Sequence, residues 1–312
     1  MQSEAFDRRA IPADARFTRW TSADGWEHRM LERRRAEGSP VRGSLLFAGG
    51  RGDFIEKYLE VHDHWLSAGW NVTAFDWRGQ GGSQGDRPGG WLDRFETLVG
   101  DLAGLIEDWR AGTPGPHVVV AHSMGGHVLL RTLADRRPAI DAAVLVAPML
   151  AINSGALPPF AAQWLASTAA AFGWSAQPAW QQPSPLQRPG SMRQALLTAC
   201  RDRYEDELWW WEKQPGFNLG APTWGWLKAA YDSSAALTPS KLAGVTIPVL
   251  LIATDRDRLV SPAAIRRAAS LLPKAELEMF GDSAHEILRE RDEVRLRALA
   301  RIDSFLDRHA GR

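Results

Sequence analysis

Cysteine is almost absent. Cys200 is the single one in 312 residues, so no internal disulfide can close and stability has to come from packing. An excess of charge of either sign is also missing, because Lys plus Arg and Asp plus Glu each total 37. Nothing global therefore draws the chain to nucleic acid or to an anionic membrane surface. Long hydrophobic runs are lacking too: apolar stretches end at Gly, Pro or charge after roughly 5 to 8 residues, far short of the 18 or so that cross a bilayer. The opening MQSEAFDRRAIPAD carries no apolar segment of the secretory type. A soluble, cytoplasmic protein is expected.

What remains is enough chain for one large α/β domain with an insertion, or for two ordinary domains. Short β-rich runs alternate with helical patterns from about residue 44 onward, as in parallel strands joined by crossover helices. Strands are expected at 44–48, 71–76, 117–122, 142–147, 248–253 and 275–280. Most are nearly continuous apolar runs, as befits strands covered on both faces. Around Asp24-Gly25 the pattern reads as a leading hairpin that adds an antiparallel edge. Helices are expected at 54–68, 94–110, 124–135, 262–271 and 291–309.

The alternation breaks once, between about 150 and 237. That stretch is rich in Ala, Pro and Trp, and eight of the 15 tryptophans fall between Trp164 and Trp226. It reads as a helical insertion, which divides the chain into a first core part (1–149), a cap (150–237) and a second core part (238–312).

In open α/β sheets, ligands bind beyond the carboxyl ends of the strands, so reactive residues just after strand ends carry the most weight. Ser123 follows one such strand and opens a helix, in AHSMGG. A nucleophile there gains a raised Oγ and a helix N-terminus that favours developing negative charge. The sharp turn needs small residues two before and two after it, here Ala121 and Gly125. After the strand ending near Ala253, the loop ATDRDRLVSP offers Asp255 and Asp257, either of which could orient a histidine. His285 stands in FGDSAHEIL after the last strand. The order Ser, Asp, His is that of hydrolases of the α/β type and not that of the other serine-protease lineages. In LFAGGRGDF, the N–H of Gly50 or Arg51, together with that of Met124, could form an oxyanion hole.

Each feature has a plainer rival. A serine between strand and helix is often only an N-cap, a lone loop histidine usually has no special task, and an Asp in TDRDR could simply form a turn with its arginines. GGRG lacks the GK[ST] of a phosphate loop. His62 and His64 make an HxH with no spaced third ligand, so no metal is expected. What outweighs the rivals is the conjunction of four such features in the required order.

With these residues identified, the motifs GGRGDFIEKY, FDWRGQGGSQG, AHSMGGHVLLR, TDRDRLVSP and GDSAHEILRE make the chain resemble the α/β-hydrolase superfamily over nearly its whole length. More closely, it resembles the monoglyceride lipase and bacterial lysophospholipase group, often labelled serine aminopeptidase-like hydrolases. Gly49 stands where the monoglyceride lipases have the His of His-Gly, which bears on substrate type more than on catalysis. Ala121 replaces the first glycine of the usual serine pentapeptide.

The resemblance implies a mostly parallel sheet with helices on both faces; it does not extend to the 150–237 insertion, which is read as a helical cap over the site. It implies Ser123 as nucleophile, Asp257 as acid, His285 as base, and the N–H groups of Arg51 and Met124 as oxyanion donors, with no cofactor. Expected substrates are monoacylglycerols or lysophospholipids, with Gly50, Trp209, Trp210 and Trp224 in substrate contact. For the tryptophans the plainer reading is packing, with Trp209 to Trp211 partly on the sheet domain and partly within the cap; the functional one has some of Trp164, Trp209, Trp210, Trp211, Trp224 and Trp226 lining an apolar acyl pocket or touching a membrane surface. Two other readings are carried along: an aminopeptidase in which Glu205, Asp206 or Glu207 holds the substrate's amine, and a binding protein with an idle site.

Overall fold

The computed structural model describes residues 6–85, 90–155, 157–180 and 188–311. The outermost residues of the N-terminal stretch and parts of the 150–237 segment thus lie outside the described residues. The strands are β1 (Arg16–Thr21), β2 (Glu27–Arg33), β3 (Gly43–Ala48), β4 (Trp70–Phe75), β5 (His117–His122), β6 (Ala142–Val146), β7 (Val249–Ala253) and β8 (Ala275–Met279). The helices are α1 (Leu59–Ser67), α2 (Phe95–Ala111), α3 (Met124–Asp135), α4 (Pro159–Ala169), α5 (Met192–Leu197), α6 (Arg201–Lys213), α7 (Trp224–Ala235), α8 (Pro239–Ala243), α9 (Pro262–Leu271) and α10 (Asp292–Ala310).

All eight strands form one sheet in the order β1-β2-β4-β3-β5-β6-β7-β8. From β4 to β8 every neighbouring pair is parallel, whereas β1, β2 and β4 pair antiparallel. The leading hairpin therefore supplies the antiparallel edge expected of it.

The central apolar runs are continuous because β3, β5, β6 and β7 each feed two cores. Leu45, Phe47, Val118, Val120, Val144, Leu250 and Ile252 face α1 and α10, packing with Trp65, Leu299 and Phe305. Their alternates, Leu46, Val119, Leu145 and Leu251, face α2, α3 and α9. Period-two geometry sends neighbours to opposite faces, so a doubly covered strand cannot afford polar alternates.

One expected helix begins differently. The 54–68 stretch starts as a 3₁₀ turn (Ile55–Tyr58) before α1 takes over. The Asp76 carboxylate accepts the Ile55 N–H at 2.9 Å, a tertiary bond that no helical periodicity encodes. Between β6 and β7 lie α4 to α8, with no strand of the sheet among the described residues.

Candidate active site

Ser123 sits at φ 51° and ψ −115° between β5 and α3, a positive-φ conformation that is strained for a residue with a side chain. Backbone bonds hold it there: its N–H donates to Val146 O at 2.9 Å, and its own carbonyl accepts from Met149 N at 2.9 Å. Close packing explains the small residues nearby. A Cβ on Gly125 would lie 2.4 Å from Gly49 O and 2.5 Å from Ala48 O. Ala121, by contrast, is fully buried, its methyl absorbed into the core face with Val119, Met124 and Val128. The elbow forms with alanine because it is Gly125, two residues after the serine, that is pressed against the backbone of the neighbouring loop, and not the position two before it.

The side chain of Ser123 does not cap α3. Its Oγ instead lies 2.9 Å from Nε2 of His285, whose Nδ1 is 2.6 Å from Oδ2 of Asp257. Asp257 is buried, and its other oxygen accepts the N–H groups of Leu259 at 2.8 Å and Val260 at 3.0 Å. Burial pushes the Asp257 carboxyl up, yet the His285 charge and these hydrogen bonds hold it below the ordinary carboxylate value. Burial likewise disfavours the His285 cation, but Asp257 outweighs it and keeps the imidazole above its usual value. Asp255 is elsewhere: exposed, and bound through both oxygens to Arg266 at 2.7 and 2.8 Å.

The loop after β3 approaches from the other side. A Cβ on Gly50 would fall 2.9 Å from Ser123 Cβ, so only glycine lets this backbone come so near. The Gly50 N–H donates to Asp53 Oδ2 at 2.5 Å. The loop after β4 braces it further: Trp77 Nε1 donates to Gly49 O at 2.7 Å, and Gln80 Oε1 accepts the Gly52 N–H at 2.7 Å. Asp53, Trp77 and Gln80 were not singled out by sequence reasoning, although all three lie inside quoted motifs. The available signal was polar residues flanking a glycine loop that has to be held still.

Beside Ser123 opens a cavity of about 390 Å³, lined by apolar side chains that include Met149, Leu196, Leu227 and Val260. Gly50 is among the residues that line it. Its tryptophans, however, are Trp180, Trp211 and Trp226, rather than Trp209, Trp210 and Trp224. Trp210 is buried and donates to Arg8 O at 3.1 Å, Trp209 packs near Arg9 and Lys213, and Trp224 leans on the α2–α3 core. Successive residues on α6 are about 100° apart, so only one of the three adjacent indoles can face the cavity. Trp164 is 69 % exposed on α4.

Two guanidinium groups also line the cavity. Arg51 donates to Gly220 O at 3.0 Å and lies 5.2 Å from the Trp226 ring, burial pulling it down to about 9. Arg193 stacks 4.6 Å from the Trp211 ring and donates to Glu207 at 2.7 Å.

The three acidic residues considered for holding a substrate amine are each engaged with cations. Glu205 accepts from Arg201 at 2.6 Å, Asp206 from Arg8 at 2.5 Å and Arg9 at 2.7 Å, and Glu207 meets Arg193, Arg289 and Lys57. His62 is buried against Phe47, and His64 lies 2.8 Å from Asp303, so the two do not converge. Among the described residues no group of three or more His, Cys, Asp or Glu is arranged to hold a metal ion. Among them, too, no helix is long and apolar enough to cross a membrane.

Sheet order, strained serine and crossover helices define an α/β-hydrolase. The family model described as serine aminopeptidase, S33, matches residues 39–292, and the chain belongs to that family. It is 28% identical over 271 residues to the probable lysophospholipase L2 of Haemophilus influenzae, covering 86% of this chain and 85% of the relative. To lysophospholipase L2 of Escherichia coli (strain K12) it is 29% identical over 293 residues, covering 85% of this chain and 80% of that one. A soluble variant of monoglyceride lipase from Saccharomyces cerevisiae shares the fold at a TM-score of 0.74 and 16% identity, covering 97% of this chain and 99% of that one.

Proposed function

We propose that the chain is a serine hydrolase of carboxylic esters, acting on monoacylglycerol- or lysophospholipid-type substrates through an acyl-enzyme. The observation that carries this is the continuous chain of contacts from Ser123 Oγ through His285 to Asp257, at 2.9 and 2.6 Å. The relatives named lysophospholipase and monoacylglycerol lipase support an ester as the substrate class.

In this reading His285 takes the Ser123 proton as Oγ attacks the ester carbonyl, and Asp257 holds the imidazole in the working tautomer. The oxyanion is received by the N–H of Met124, which as the first residue of α3 has no intrahelical acceptor, and by that of Arg51. Gly50 drops out as the second donor because its N–H is given to Asp53. Protonated His285 then releases the alcohol, and water repeats the sequence on the acyl-enzyme. No cofactor enters these steps.

The 150–237 segment serves as the cap between core parts 1–149 and 238–312. Its apolar cavity wall suits an acyl chain, and Trp211 and Trp226 replace Trp209, Trp210 and Trp224 as the proposed contacts. The cap also supports transient contact with a lipid surface. Phe160 and Phe172 are each 75 % exposed, with Trp164 and Trp174 beside them in the chain, and residues 142–187 contain no Asp, Glu, Lys, Arg or His. An aminopeptidase needs an unengaged carboxylate for the substrate's amine, and the pairing of Glu205, Asp206 and Glu207 argues against it.

The test is Ser123→Ala together with a fluorophosphonate probe and a panel of p-nitrophenyl esters, monoacylglycerols, lysophospholipids and aminoacyl amides. Turnover is expected to fall by about 10⁴- to 10⁶-fold, with labelling abolished. Near-wild-type hydrolysis by the pure variant, or an unlabelled wild type, overturns the reading.

A further inference from the structure

Beneath the site lies a cluster of buried charges drawn from three parts of the chain. Lys57, after the Gly50 loop, has its Nζ 2.7 Å from Asp53 Oδ1, 2.6 Å from Glu286 Oε1 and 3.5 Å from Glu207 Oε1. Glu286 directly follows His285 in the chain. Glu207 belongs to α6 of the cap. Arg289, on the His285 loop, reaches Glu286 at 2.5 Å and Glu207 at 3.3 Å, while Arg193 of α5 reaches Glu207 at 2.7 Å. The carboxylates of Asp53, Glu207 and Glu286 balance the cations Lys57, Arg289 and Arg193, and all three acids are buried.

Two moving parts of the proposed chemistry end in this cluster. Asp53 holds the oxyanion loop through the Gly50 N–H, and its Oδ2 also meets Tyr58 and, at 2.9 Å, His122. Glu286 carries the base loop, whose backbone is in turn gripped by the cap: His285 N–H donates to Leu196 O at 3.3 Å and Glu286 N–H to Leu197 O at 2.7 Å. Lys57 is the strut between the two loops.

We propose that Glu207 is a positioning residue of the esterase site: by completing the charge balance around Lys57 and Arg289 it keeps the oxyanion loop and the base loop at their working separation. The cap then takes part in the chemistry of every ester, including esters too small to need it for binding. The physical reason is that a buried cluster tolerates no uncompensated charge. Without the Glu207 carboxylate, three cations face two anions, and Lys57 and Arg289 compete for Glu286. Either adjustment drags the Gly50 loop or the His285 loop with it, and sub-ångström displacement of reacting groups is costly in rate. Consistent with the geometry, Arg193, Lys57 and Arg289 overcome burial and hold Glu207 below the ordinary carboxylate value.

The inference rests on the serine-hydrolase reading, and the experiment keeps the two apart. Wild type, Glu207→Gln, Glu207→Asp and Glu205→Gln are compared on p-nitrophenyl acetate, with kcat expressed per active site counted by fluorophosphonate labelling, so that only folded enzyme is scored. Failure of wild type to label or turn over sinks the hydrolase reading itself. Given active wild type, Glu207→Gln is expected to lose about tenfold or more in kcat with KM changed by less than about twofold. The charged groups acting on His285 are Asp257, Glu286 and Asp53, the His122 ring lies 5.0 Å away, and Lys57 and Arg289 stand one contact further out, on Glu286. Removing the Glu207 charge leaves Lys57 and Arg289 less neutralised against Glu286, which destabilises the imidazolium, so the ascending limb of kcat/KM moves to lower pH. Glu207→Asp restores the limb and part of kcat, and Glu205→Gln, on the outer side of α6, changes neither. Wild-type kcat per active site with an unmoved pH limb in Glu207→Gln overturns the proposal. Should that variant not fold, Glu207→Asp decides: a reduced kcat with an unmoved limb supports the role, and wild-type kcat overturns it.

Discussion

His285 Nδ1 lies 2.6 Å from Asp257, whereas Asp255, two residues earlier in the same loop, is turned outward onto Arg266. Exchange of the two acids should therefore have opposite consequences. Asp257→Asn is expected to lower kcat by about 10⁴-fold, because the imidazole loses its orienting acceptor. Asp255→Asn should leave kcat within about twofold, as an exposed ion pair contributes little. Steady-state hydrolysis of a p-nitrophenyl ester distinguishes them, and equal losses would place the acid wrongly.

The same contact sets a pH dependence. Asp257 holds His285 above its ordinary 6.5 against the opposing effect of burial, so the neutral base accumulates only above that value. The ascending limb of kcat/KM should accordingly lie on the alkaline side of 6.5. A pH–rate profile with its limb well below 6.5 would contradict the Asp257 contact.

Much of this site was legible beforehand. Ser123, Asp257 and His285 each follow a strand end, and strand ends show through as breaks in apolar runs. The tryptophans were not legible in the same way. WWW in α6 fixes the angles between three indoles but leaves the phase of the helix open, and docking alone turned Trp211 to the cavity. Trp211→Ala and Trp226→Ala should therefore shift acyl chain-length preference, whereas Trp209→Ala should not. A panel of esters from acetate to palmitate reads this, and an unaltered profile in the first two variants would reduce them to packing.

The exposed aromatics of the cap carry a prediction about surfaces. An uncharged patch inserts by apolar burial and not by attraction to anionic lipid, so binding should be insensitive to salt. Co-sedimentation with phosphatidylcholine vesicles is expected to fall for a Phe160→Ser, Phe172→Ser double variant, while hydrolysis of a dissolved short ester persists. Equal sedimentation of variant and parent would remove the lipid-surface reading.

Two buried histidines bear on acid stability. Burial lowers His62 and His127 from 6.5 to about 3, with Arg33 and Arg131 respectively adding to the effect. The unfolded chain binds their protons below 6.5 while the native chain refuses them until about 3. Stability is therefore lost as pH falls through that window, by about 1.4 kcal/mol per pH unit for each histidine. Urea unfolding between neutral and mildly acid pH should show this slope, and His62→Leu should flatten it. An unchanged slope in the variant would assign the acid sensitivity to other groups.

The sequence by itself determined the alternation of strands and helices, the break that sets the 150–237 segment apart, and the order of Ser123, Asp257 and His285, because periodicity and strand ends are local properties. Only the tertiary structure decided which N–H beside Ser123 is already committed, which indole faces the cavity, and which charges neutralise one another beneath it. Those outcomes depend on contacts such as Lys57 with Glu286 and Arg193 with Glu207. Partners of that kind are joined by chain closure and burial, and a long-range electrostatic match leaves no period in the residues that make it.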